Sequence, residues 1–103
     1  MARREAGVFA ISVAAEMTSL QIQNLRVYER RGLVDPDRTA GGTRLYSEDD
    51  IDRLHRIREL LAAGLNLAGI AAVLELEDEV ARLQGEVARL EAQSGNIEAA
   101  SAR

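Results

Sequence analysis

The chain has 103 residues with 13 basic and 17 acidic side chains, a formal net charge of −4, one histidine and no cysteine. That length holds one small domain and an extension, not a second substantial core. Disulfides and thiolate metal sites are excluded, His55 cannot build a metal centre alone, and no apolar run approaches the roughly 20 residues of a membrane span.

Met1-Ala2-Arg3-Arg4-Glu5 leads into no long apolar signal core, so the expectation is a cytoplasmic protein without cofactor or membrane contact. Residues 1–8 read as a frayed tail. Ser12 offers an N-cap to a short helix over 13–17, with Glu16 in its first turn where the helix dipole favours an acid. Thr18-Ser19 is the turn, and a second helix covers 21–31. Gly32 is the stop, at a C′ position that needs positive φ. Asp35-Pro36 and Gly41-Gly42 mark turns, with a short strand, Thr43-Arg44-Leu45-Tyr46, after them.

Ser47-Glu48-Asp49-Asp50 is a capping box with three acids in the first turn. It opens a helix whose apolar positions Ile51, Leu54, Ile57, Leu60 and Leu61 recur at helical spacing. Ala62-Ala63-Gly64 ends that helix, and Asn66 caps another beginning at Leu67. From Val73 the period tightens to that of a heptad, with Val73, Val80 and Val87 at a and Leu76, Leu83 and Leu90 at d. The pattern fails at Ser94, although Ile97 returns in phase, and residues 94–103 are expected to fray. Gly85, at the outward f position, costs up to about 1 kcal/mol against Ala. The stripe could fold back onto its own domain, but so small a domain offers little surface to cover it, and pairing with a second copy is expected. Val at a with Leu at d favours a parallel pair, whereas Glu86 facing Glu91 in such a pair repels, so orientation stays open.

The second helix carries the chemistry. Ile22, Leu25 and Val27 can anchor one side, leaving Gln23, Asn24, Arg26, Tyr28, Arg30 and Arg31 around the rest. Amides and guanidinium groups pair bidentately with adenine and guanine edges, and arginines neutralise phosphates. A basic hairpin with Arg38, Arg44 and Tyr46 follows, which is the layout of a winged helix-turn-helix. Each residue has a plainer alternative: a surface ion pair for Arg26, helix capping for Asn24, core filling for Tyr28 and Tyr46. The acidic balance does not oppose this reading. Residues 1–65 carry ten Arg and ten acids, while 66–103 carry three Arg and seven acids, the whole of the −4. Over 21–46 five Arg meet three acids, a modest excess, so double-stranded DNA would be bound by a homodimer.

The runs Ile11-Ser12-Val13-Ala14-Ala15-Glu16, Leu25-Arg26-Val27-Tyr28-Glu29-Arg30-Arg31-Gly32-Leu33-Val34 and Arg38-Thr39-Ala40-Gly41-Gly42-Thr43-Arg44-Leu45-Tyr46 resemble the MerR family. Gly64-Leu65-Asn66-Leu67-Ala68-Gly69-Ile70 and Val73-Leu74-Glu75-Leu76-Glu77 are similar to its HspR-type heat-shock repressors. The resemblance covers roughly residues 8–91. It implies a mostly α fold: a winged helix-turn-helix over 9–72, a dimerisation coiled-coil helix over 73–93 and a tail over 94–103. It also implies DNA contacts from Arg26 and Tyr28 on the recognition helix and from Arg44 and Tyr46 on the wing. Where such repressors commonly have His-Pro-x-Thr, this chain has Gln21-Ile22-Gln23-Asn24, which loses the Pro at N1 and points to a different operator.

By the same resemblance the function is a homodimeric repressor of chaperone or stress genes on an inverted-repeat operator, with an Hsp70-type chaperone (DnaK) as co-repressor. The alternative is a MerR-like modulator that binds a chaperone rather than DNA, against which Arg30, Arg31, Arg38 and Arg44 argue. An enzyme is a poor third, because no nucleophile, base and orienting group stand at usable spacing.

Overall fold

The first helix starts where a β-bridge ends. In the computed structural model, which describes residues 4–101 and side chains to 96, Phe9 and Tyr46 pair antiparallel. The Phe9 amide donates to the Tyr46 carbonyl at 2.9 Å, and the Tyr46 amide returns a bond to the Phe9 carbonyl at 2.7 Å. This pairing delivers the chain directly into α1 (Ile11–Thr18), whose N-cap is Ala10 with no side-chain cap bond. Ser12 therefore lies inside the helix and does not cap it, and Glu16 falls outside the first turn. The entry is set by a partner more than thirty residues away, so a local cap is dispensable.

Thr18 ends α1 fully buried, its hydroxyl donating to the Ala14 carbonyl at 2.8 Å, which satisfies a polar group that burial would otherwise penalise. Ser19 then takes the left-handed conformation at φ 56°. Amides of Ser19 and Leu20 bond back to Glu16 and Ala15, closing a Schellman motif without glycine. α2 (Ile22–Arg30) follows. Its end is the expected one: Gly32 adopts φ 73°, and the Gly32 and Leu33 amides bond to Glu29 and Tyr28 at 3.0 and 2.9 Å.

The wing is a two-stranded antiparallel sheet, β1 (Asp37–Arg38) and β2 (Arg44–Leu45), with Arg38 opposite Arg44. Its loop closes through the Gly42 amide on the Thr39 carbonyl, with Gly42 at φ 86°, the conformation that three-residue hairpin loops ask of glycine. The segment before α1 is tied to this wing. The Gly7 amide donates to Asp37 Oδ2 at 3.0 Å and the Val8 amide to the Tyr46 carbonyl at 3.0 Å. Arg4 pairs with Glu48, Asp49 and Asp52 at the start of α3. The frayed tail expected over 1–8 is thus corrected for residues 4–8; residues 1–3 lie outside those described.

α3 (Glu48–Ala62) opens with the expected capping box, Ser47 Oγ and Asp50 Oδ2 exchanging bonds with each other's amides at 2.9 Å. Its buried residues Ile51, Leu54, Ile57 and Leu60 join Ala14, Leu25, Tyr28, Leu33, Val34, Tyr46 and Ile70 in one core. Each fully buried aliphatic side chain there is worth about 1.5–3 kcal/mol. α1 packs against both α2 and α3, so α2 is held from behind.

Asn66 caps α4 (Leu67–Ser101), its Oδ1 accepting from the Gly69 amide at 2.8 Å. The helix runs through 73 and through Ser94 without interruption, so fraying from 94 is corrected as far as Ser101; residues 102 and 103, and the side chain of Ile97, lie outside those described. The chain divides into two units, Met1–Ile70 and Ala71–Arg103. In the second, Val73 is half-buried while Leu76, Val80, Leu83, Val87 and Leu90 are all exposed. Among the described residues no helix is long and apolar enough to cross a membrane.

Candidate nucleic-acid interface

Buried Leu25 and Tyr28 fix the inner side of α2. Helical spacing then sets what faces outward. Gln23, Arg26 and Arg30, at i, i+3 and i+7, form one exposed ridge opposite that anchor, whereas Asn24 and Arg31, also exposed, lie on a second line nearly a third of a turn away. Asn24 makes no side-chain cap bond, so the capping alternative fails, yet Gln23 is the amide placed on the same ridge as the arginines.

Glu29 decides how the wing meets this helix. The carboxylate is only 15% exposed and takes one guanidinium on each oxygen. Oε2 accepts from Arg38 at 2.7 Å, and Oε1 accepts from Nε of Arg44. Arg38 and Arg44 stand opposite each other across the hairpin, and like charges so placed repel. Glu29 between them turns that repulsion into a clasp joining wing and helix. Hydrogen bonding to Glu29 raises the Arg44 pKa above its ordinary value, so Arg44 stays cationic. Arg38 also donates to the Gly42 carbonyl at 2.9 Å, bracing the hairpin tip. Since Glu29 is engaged by the wing, the surface pair considered for Arg26 does not form: Arg26 has no ion pair among the described residues.

Two expected DNA contacts are corrected. Tyr46 is 0% exposed, and its hydroxyl is buried without a partner. Tyr28 is 4% exposed. Both rings are core residues, and burial raises both phenol pKa values. An aromatic flanked by charges suits either environment, and local pattern does not distinguish them. The ridge of Gln23, Arg26 and Arg30 and the flanking Asn24 and Arg31 are exposed on α2, and the wing arginines are tied to the same helix through Glu29. Sequence reasoning missed Glu29 as the junction; its place one position after Tyr28 and its lone acidity within 21–34 were the available signals.

The remaining expected surface is the stripe on α4. Val73, Leu76 and Val80 line one shallow groove and Val80, Leu83 and Val87 the next. Arg82 pairs within the helix with Glu79 at 2.6 Å and Glu86 at 3.2 Å, which partly neutralises the acids beside the stripe. Among the described residues no cluster of His, Cys, Asp and Glu suits a metal ion.

The chain matches the family model described as MerR HTH family regulatory protein over residues 9–77. A Streptomyces coelicolor protein described as a putative heat shock protein HspR is 52% identical over 75 residues, 72% of this chain and 50% of that protein. The HTH-type transcriptional regulator GlnR of Bacillus anthracis is 43% identical over 76 residues, 74% of this chain and 59% of that protein. The chain thus spans between 50% and 59% of the length of these relatives. Among solved structures, a MerR family transcriptional regulator from Bacillus cereus aligns with a TM-score of 0.62 and 27% identity, covering 86% of this chain and 71% of that one. HiNmlR, a MerR family regulator lacking the sensor domain and bound to promoter DNA, aligns with a TM-score of 0.62 over 87% of this chain and 75% of that one. At 20% identity it is a likeness of fold alone.

Proposed function

The chain belongs to the MerR family of helix-turn-helix regulatory proteins, and on that premise we propose that it is a sequence-specific DNA-binding repressor of chaperone or stress genes, acting as a homodimer on an inverted repeat in the cytoplasm. The observation that carries the DNA reading is the exposed ridge of Gln23, Arg26 and Arg30 on a helix anchored from behind by Leu25 and Tyr28. An amide beside guanidinium groups can read base edges, while Arg31 and Arg44 meet phosphates. The wing extends the contact beyond the helix.

Two copies are required because the local positive excess is small and a single recognition helix covers one half-site. Val73, Leu76, Val80, Leu83, Val87 and Leu90 supply the seam. Likeness to the protein described as a putative heat shock protein HspR supports the heat-shock assignment; an Hsp70-type chaperone (DnaK) as co-repressor is part of the proposal and follows from the resemblance to HspR-type repressors. The exposed cationic ridge weighs against a modulator acting through protein contacts alone.

Selection of bound sequences from a random duplex pool at one fixed salt concentration tests the reading. Enrichment of an inverted repeat is expected, with half-sites about one helical turn, 10 bp, or a multiple of it apart. A pool that emerges without any enriched motif would overturn it.

A further inference from the structure

Arg44 is bound through one nitrogen only. Nε donates to Glu29, while the two terminal nitrogens make no hydrogen bond among the described residues and the side chain is 26% exposed. Arg38 is held differently: one terminal nitrogen donates to Glu29 and the other to the Gly42 carbonyl, so the group is tied at both ends, to α2 and to the hairpin tip, and keeps one N–H on each terminal nitrogen. A guanidinium presents five N–H donors in a planar fork. Fixing Nε therefore fixes the plane of the whole group and the direction of its free edge. We propose that Glu29 is the positioning residue of the DNA interface, holding Arg44 so that its terminal edge meets a backbone phosphate, while Arg38, tied at both terminal nitrogens, braces the wing against α2.

This inference rests on the DNA-binding reading above and goes beyond it, because it gives an acid an affinity-raising role beside a polyanion. Electrostatics alone points the other way. Glu29 is a negative charge close to the phosphates, so removing it should tighten binding if it merely masks the two arginines. Pre-organisation predicts the opposite: an arginine released from Glu29 must lose side-chain freedom on binding, and the phosphate contact is formed less often. The sign of the effect separates the two accounts.

The experiment measures binding of the full chain to its selected operator duplex by fluorescence anisotropy across a salt series, for wild type, E29Q, E29D, R44A and the E29Q/R44A double variant, each checked for folding by circular dichroism. E29Q is expected to bind about tenfold more weakly despite its more positive surface. Its log–log salt slope should be shallower by about one unit, the signature of one lost phosphate contact. E29Q should add nothing in the R44A background, as coupled residues do, and E29D, which keeps the charge, should recover the wild-type slope. Binding equal to or tighter than wild type would overturn the proposal. So would a weakening that leaves the slope unchanged and adds in full to that of R44A, the mark of a general structural defect. If wild type itself binds no duplex, the DNA reading falls; if wild type binds and E29Q binds better, only the role of Glu29 does.

Discussion

Tyr46→Phe should stabilise this protein. The Tyr46 side chain is entirely buried and its hydroxyl finds no hydrogen-bond partner, although Glu29, Arg44, Asp50 and Arg38 all act on it through space. Burying an unsatisfied hydroxyl costs about 1–3 kcal/mol of lost hydration. Phenylalanine keeps the ring and leaves only a small void, so part of that cost returns as a net gain of about 1 kcal/mol. In a domain of this size such a gain raises Tm by about 4–8 °C. Urea and thermal unfolding of both forms at one protein concentration measure it; the concentration must match because dimerisation would itself shift Tm. A loss of stability in Tyr46→Phe would refute the reasoning, for it would show the hydroxyl to be hydrogen-bonded in solution.

A Cβ on Gly7 would lie 2.6 Å from the Leu45 carbonyl oxygen and 2.9 Å from Asp37 Cβ, so Gly7→Ala should push the N-terminal segment off the wing at about 1–3 kcal/mol; amide exchange at Phe9 and Tyr46 should accelerate, and unchanged exchange would show that the contact gives way freely. Leu83→Glu would place an unpaired charge in the proposed coiled-coil seam and should yield monomers at micromolar concentration by sedimentation; a variant that stays dimeric moves the interface elsewhere. Burial raises the pKa of Tyr28 and Tyr46 above the ordinary phenol value, so their contribution to stability is intact below about pH 10 and is lost as pH rises toward the folded values. Denaturant titrations should show stability falling above that pH by up to about 1.4 kcal/mol per unit for each tyrosine, less steeply in Tyr46→Phe, and a flat profile would contradict the burial argument.

What the residues disclosed in advance was whatever is decided within a few positions. The Ser47–Asp50 capping box, the Asn66 cap, the positive φ of Gly32 and the end of α3 before Gly64 are each closed by neighbours in sequence, and they fell where pattern placed them. Helix entry at Ile11 did not, because Tyr46 rather than Ser12 supplies the constraint. Arg4 is likewise ordered by acids 44 to 48 positions away, which no local window contains. α2 was legible as a polar face on an apolar anchor, but its division into a ridge with Gln23 and a flank with Asn24 needed the buried side fixed first. Glu29 was the least visible, since an acid in a basic segment reads as a diluting charge until both wing arginines are seen on its oxygens.

The central claim is that this surface reads sequence, and the ratio of affinities for the selected operator and a scrambled duplex of equal length tests it most directly. Measured for the wild-type chain at one physiological salt concentration, the ratio should be at least about 10³, the range of specific over non-specific protein–DNA binding. A ratio near one would leave only general attraction to phosphates and would contradict the account.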